Sequence, residues 1–169
     1  WPLFLLYPVF VFMDCDPSDV RLWSRLRKNC LIEYFAAYFP ATLIKSDPTR
    51  KWDPADAYLI GYHPHGVCGF GACLGFATDA LGWSLKFPGL ESRLATIFMN
   101  VRIPVLWELI SRMGAIPGKH ASLIASLSPG CAVVVNVGGR QEFLDHCLGR
   151  YVLTVRSRKD FFRVALKKG

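Results

Sequence analysis

The hydrophobic pattern gives the chain two textures. Trp1 to Met13 (WPLFLLYPVFVFM) is an apolar, aromatic run without a charge. Asp16-Pro17-Ser18-Asp19 then has the features of a helix start: a capping Asp, Pro at the first helical position and an acid in the first turn. The helix is predicted to run to about Phe39, with a stripe of Trp23, Leu26, Cys30, Leu31, Tyr34, Phe35 and Tyr38, and to end at Pro40. Asp47-Pro48 and Asp53-Pro54 mark an exposed connection.

From Ala57 strand and helix patterns alternate. Strands are expected at Ala57–Tyr62 (AYLIGY), Leu94–Met99 (LATIFM), Cys131–Val137 (CAVVVNV) and Tyr151–Val155. Helices are expected at Gly69–Asp79, from Pro104 through Met113 with Gly114 closing it, at Ser122–Leu127, and at Asp160–Lys168. CAVVVNV is β-branched almost throughout, as suits a central parallel strand covered on both faces. The alternation predicts an α/β domain, a mostly parallel sheet with flanking helices, preceded by a membrane-associated apolar segment and helix. The chain divides into residues 1–13, the end of a membrane-embedded segment; 14–56, an amphipathic helix and connection; and 57–169, an α/β domain incomplete at its C-terminus.

Composition narrows the function. With 169 residues the chain suits one compact domain, and 52% hydrophobic against 20% charged residues excludes intrinsic disorder. Twelve Phe and five Trp exceed what a small water-soluble core requires and point to lipid or an apolar substrate. A net charge of +7 favours anionic partners. The basic residues are not interleaved with stacking aromatics on a strand face, which argues against nucleic acid. Thirteen apolar residues are too few for a helical span, which needs about 20. Two accounts of Trp1–Met13 stand: the end of a span, or a buried segment broken at Pro8. Arg21, Arg25, Arg27 and Lys28 just beyond it favour the first, with this side cytoplasmic. The chain starts without Met and stops at Lys167-Lys168-Gly169, and is read as an internal segment of a longer protein. Six cysteines without a C-x-x-C pair read as reduced core thiols, with no metal site.

In open α/β sheets chemistry gathers at the carboxyl ends of strands. Tyr62-His63-Pro64-His65-Gly66 follows AYLIGY directly, and an imidazole there can take a proton from an attacking hydroxyl. The alternative is a pair of histidines that satisfy loop carbonyls. Val137-Gly138-Gly139-Arg140-Gln141-Glu142 follows CAVVVNV, where the glycines permit a tight turn and expose N–H groups. Arg140 and Glu142 are expected to project into the same crevice, Glu142 to orient an imidazole or bind a polar substrate group. Its other reading is a solvated carboxylate at a helix start.

These residues carry a resemblance. YHPHG, KFPG at Lys86–Gly89, RIPVLWELISRMGAIP at Arg102–Pro117, the strand with GG-x-x-E, and RSRKDFFRVALKKG occur in the order found in the type-2 diacylglycerol and monoacylglycerol acyltransferase family. The chain resembles that family over essentially its whole length, including EYFAAYFPATLIKS near the N-terminus. The resemblance implies a fold similar to that of the glycerolipid acyltransferases. It also implies an endoplasmic-reticulum membrane enzyme facing the cytosol, found on lipid droplets as well, that moves a fatty acyl group from acyl-CoA to an acylglycerol without a cofactor. Membrane lipid is then a partner, and self-association stays open. His63 becomes the general base, with His65 as the alternative. Gly66, Gly138 and Gly139 are candidates to bind the substrate oxyanion, and Arg140, Arg156 and Arg158 to hold substrate, the last two at the phosphates of CoA. Wax-alcohol or retinol acceptors, and a non-catalytic lipid-binding protein, are the rival outcomes. Two departures stand out. The glycerol-phosphate acyltransferases have an Asp four residues after the active histidine, where Val67 and Gly69 stand here after His63 and His65, so Glu142 is the candidate substitute; and Asp160 occupies a position that is usually Gly in the resembled family.

Overall fold

The computed structural model describes residues 22–64, 69–97, 100, 103, 105–145, 147, 149–150 and 152–168. Four strands form one parallel sheet: β1 (Tyr58–Tyr62), β2 (Glu91–Thr96), β3 (Ala115–Pro117) and β4 (Cys131–Asn136), in the spatial order β1-β4-β2-β3. Around it lie α1 (Ser24–Arg27), α2 (Cys30–Tyr38), α3 (Phe70–Ala72, continued by a π-helical turn over Cys73–Ala77), α4 (Trp83–Lys86), α5 (Leu106–Arg112), α6 (His120–Ser126), α7 (Gly139–Leu144) and α8 (Lys159–Lys168). A parallel α/β architecture with flanking helices is therefore present.

The β-branched run becomes the interior strand because both its faces find apolar cover. On one face Val133, Leu59, Val135, Ala95 and Ile116 meet Leu123 and Leu127 near α6 and Val164 of α8. On the other, Ala132, Tyr58 and Ile60 meet Trp83, Phe87, Leu90 and Phe76, with Leu43 and Trp52 added from the N-terminal connection. Val164 is 1% exposed and pins α8 to the sheet; full burial of such a side chain stabilises by about 1.5–3 kcal/mol.

Four expectations are corrected. The single helix to Phe39 is two helices in the described region. Asn29 has extended backbone, and its side chain accepts the Leu31 N–H at 2.9 Å, so it caps α2. The break accompanies the inward turn of Arg27, whose guanidinium donates to Ser92 Oγ at 2.6 Å and to the Phe76 carbonyl at 3.2 Å. Arg27 is thus buried, and burial lowers its pKa from the usual arginine value; it does not belong to an exposed basic cluster. The strand expected from Leu94 begins at Glu91 instead. Its polar start is concealed in sequence because Ser92 is buried on the Arg27 side and Glu91 pairs with Arg93 at 3.5 Å. Strand β3 was not expected: three residues carry no periodicity, and Pro117 is tolerated on an edge strand. The strand expected at Tyr151–Val155 is absent from described residues 152–155, where the Thr154 amide donates to Glu142 rather than to a ladder.

No described helix is long and apolar enough to cross a membrane. The Trp1–Met13 segment and the expected helix start at Asp16 lie outside the described residues.

Candidate active site

Strands β1 and β4 are parallel neighbours with Tyr62 opposite Asn136, so the loops that leave them start side by side. The Val137 N–H donates to the Tyr62 carbonyl at 3.3 Å and extends the pairing by one step. His63 is the first residue beyond β1. On the β4 side, the Asn136 side-chain oxygen accepts the Gly139 N–H at 3.2 Å, and Gly139 takes φ +60° to enter α7. One turn of α7 then carries Glu142 back toward the sheet edge.

The two side chains meet. His63 Nδ1 lies 3.0 Å from Glu142 Oε1 and 2.9 Å from Oε2. The Glu142 side chain is 3% exposed and that of His63 24%. Oε2 also accepts the Thr154 N–H at 3.0 Å. A buried carboxylate that accepts from Nδ1–H fixes the imidazole tautomer, and Nε2 is left with the lone pair. The arrangement is a histidine ring held by a buried acid at the carboxyl edge of a parallel sheet.

Of the other expected site residues, His65 and Gly66 lie outside the described residues. Gly138 and Gly139 form the entry to α7, and Arg140 is in its first turn. Arg158 is half-buried, with Nη2 3.7 Å from where a Cβ on Gly139 would stand, and its Nε has no hydrogen-bond partner. The structure thus brings Arg158 to the loop that carries Glu142. Arg156 is exposed.

Burial raises the pKa of the Cys73 thiol and of the Tyr62 hydroxyl, so both stay protonated near neutrality. Among the described residues no group of three or more His, Cys, Asp or Glu could hold a metal ion.

Two contributors are absent from the residues expected at the site. Thr154 acts through its backbone amide, which no side-chain pattern reveals. Asn136 was legible in principle, since an Asn that ends an apolar run before Gly-Gly is a turn signal.

Fold and site together define an α/β protein with an acid-oriented histidine at the carboxyl edge of its sheet. Residues 1–169 match the family described as "Diacylglycerol acyltransferase", and the chain belongs to that family. It is 36% identical over 172 residues to diacylglycerol O-acyltransferase 2B of Umbelopsis ramanniana, covering 100% of this chain and 48% of that protein. It is 37% identical over 174 residues to diacylglycerol O-acyltransferase 2 of Xenopus tropicalis (100% and 47% covered). With the Rattus norvegicus protein of the same name the identity is 39% over 174 residues (100% and 44% covered). The chain thus spans about half the length of the curated relatives it matches. No solved structure matches it significantly.

Proposed function

We propose that the protein transfers a fatty acyl group from acyl-CoA to the hydroxyl of an acylglycerol, with His63 as general base. The observation that carries this reading is the His63–Glu142 pair, at 2.9 Å, on the adjacent strand ends of a family member. Nε2 takes the proton of the acceptor hydroxyl as its oxygen attacks the thioester carbonyl. The tetrahedral intermediate collapses, the C–S bond breaks, and the CoA thiolate leaves and recovers the proton from the imidazolium. Glu142 holds the ring and stabilises that imidazolium. No acyl-enzyme is required. Backbone N–H groups of the glycine-rich 66–71 stretch or of the Gly138-Gly139 turn stabilise the oxyanion. The Gly139 N–H is already held by Asn136, which favours the first.

Arg158, with Arg156 and Arg140, is assigned to substrate, the first two to the CoA phosphates, because guanidinium forks donate pairwise to phosphate oxygens. The protein is assigned to the cytosolic face of the endoplasmic-reticulum membrane. In support, the outward side of α2 presents Leu31, Tyr34 and Tyr38, 75%, 83% and 78% exposed, an aromatic surface of the kind found at bilayer interfaces. The test is ester formation from acyl-CoA by the full-length protein in cells that lack neutral-lipid synthesis, with diacylglycerol, monoacylglycerol, long-chain alcohol and retinol offered in turn. Acylglycerol should be esterified. Ester formed only on the alcohol or retinol would move the acceptor assignment, and no ester at all would favour a lipid-binding role.

A further inference from the structure

The two glycines that open α7 are glycine for different reasons. Gly139 has φ +60°, in the left-handed region that disfavours a side chain. Gly138 has φ −71° and ψ −23°, a conformation that any residue adopts, so its backbone does not ask for glycine. The reason lies in space. A Cβ on Gly138 would fall onto Oε2 and Cδ of Glu142 and within 2.5 Å of its Cβ. The carboxylate is not free to swing aside, since it is held by His63 Nδ1 through both oxygens and by the Thr154 N–H. The Glu142 Cβ is fixed by the helix itself.

We infer that Gly138 is a positioning residue: the volume it leaves empty is the volume in which Glu142 sits while it faces His63. The inference rests on the proposal that this pair forms the reaction's base. It gives Gly138 a role through Glu142, distinct from a direct contact with substrate. An alanine at 138 displaces the start of α7, Glu142 leaves His63, and the ring loses its fixed tautomer while the acyl-CoA contacts stay in place.

The test is a cycle in the full-length protein: wild type, Gly138→Ala, Glu142→Gly and the double variant, each measured for kcat, KM for acyl-CoA, pH–rate profile and thermal midpoint. Glu142→Gly removes the three atoms nearest to the new Cβ. Gly138→Ala should lower kcat on the order of 10²-fold, the lower end of a general-base contribution, with KM nearly unchanged. The double variant should be no slower than Glu142→Gly, and the pH–rate profiles of all three variants should coincide. Gly138→Ala should lower the thermal midpoint only when Glu142 is present. An equal loss of kcat from Gly138→Ala in both backgrounds would overturn the inference and return Gly138 to direct substrate contact. If Gly138→Ala alone fails to fold, recovery of folded protein in the Glu142→Gly background supports the steric claim, and failure in both refutes it. A wild-type rate for Glu142→Gly would instead show that Glu142 does not serve the base, and the positioning role of Gly138 would fall with it, while the His63 assignment is tested separately by His63→Ala.

Discussion

Among the described residues a charged side chain is buried in two places, with opposite outcomes. Beneath the sheet Arg27 donates to Ser92 Oγ and to the Phe76 carbonyl, and the Ser92 hydroxyl donates to the same carbonyl at 2.5 Å. That node is closed, joining α1, the π-helical turn and β2. At the carboxyl edge of the sheet Glu142 is equally buried, but its partner His63 keeps a quarter of its side chain exposed. In the first arrangement one guanidinium nitrogen, Nη2, makes both contacts within the fold, and the buried Nε has no hydrogen-bond partner. The second holds one ring nitrogen and leaves the other with a lone pair. Burial of charge alone therefore does not mark a site; at the sheet edge the buried acid holds a histidine that stays partly exposed.

The largest expected effect separates the two places outright. His63→Ala should reduce acyl transfer by about 10²–10⁴-fold, the range of general-base catalysis, and cost some thermal stability as well, since Glu142 stays buried with the Thr154 N–H but without the ring. Radiolabelled acyl-CoA incorporation in membranes checks it. Near-wild-type ester synthesis would remove His63 from the mechanism.

Arg27→Ala should do the reverse. Its removal deletes the charge-assisted hydrogen bonds to Ser92 Oγ and to the Phe76 carbonyl, which keep only their bond to each other, and costs about 1–3 kcal/mol. Activity per folded molecule should persist. Arg27→Lys should recover part of the loss, because a single nitrogen, Nη2, makes both contacts and an ammonium also has donors for two acceptors. Chemical denaturation with parallel activity assays distinguishes the outcomes, and loss of specific activity without loss of stability would make the node part of the site.

The same contrast explains what the sequence made legible. The β-branched run of β4, the position of His63 after β1 and the Gly-Gly turn before Glu142 all follow from local pattern, and parallel pairing of β1 with β4 brings them together. The break between α1 and α2 did not, because Trp23, Leu26, Cys30 and Leu31 continue a helical stripe across it. The inward turn of Arg27 depends on a serine 65 residues further along the chain. The polar start of β2 was missed for the same reason: Ser92 is a core residue only because Arg27 reaches it. Long-range polar burial overrides local hydrophobicity, and periodicity does not register it.

A smaller effect should probe the substrate side of the comparison. Replacing Arg156 and Arg158 by Gln should raise the apparent KM for acyl-CoA several-fold, on the order of 1 kcal/mol for weakened charge-assisted hydrogen bonds, and leave acceptor dependence nearly unchanged. Unchanged acyl-CoA dependence together with weaker liposome binding would assign the pair to the membrane surface.

The smallest effect tests how far the closed node extends. Asp79 donates its N–H to the Arg27 carbonyl at 3.0 Å, and its carboxylate accepts the Ser84 N–H at 2.8 Å and the Ser84 hydroxyl at 2.6 Å. Lys28 stands 3.4 Å away. Partial burial opposes ionisation, but the hydrogen bonds from Ser84 and the Lys28 ammonium outweigh it and hold the Asp79 pKa below the usual carboxylate value. A lowered folded-state pKa means that the ionised form binds the fold more tightly than the unfolded chain. The stabilisation is therefore complete above the unfolded-state value and is lost as pH falls through the folded-state one. Asp79→Asn should reduce stability by a near-constant amount, about 1 kcal/mol or less for so accessible a set of contacts, from neutral pH down to about 5. The difference from wild type should shrink below that. Urea midpoints measured at intervals between pH 7 and pH 3 give the test. Curves that stay parallel to pH 3 would show that the carboxylate's charge is not what ties Asp79 to Ser84 and Lys28.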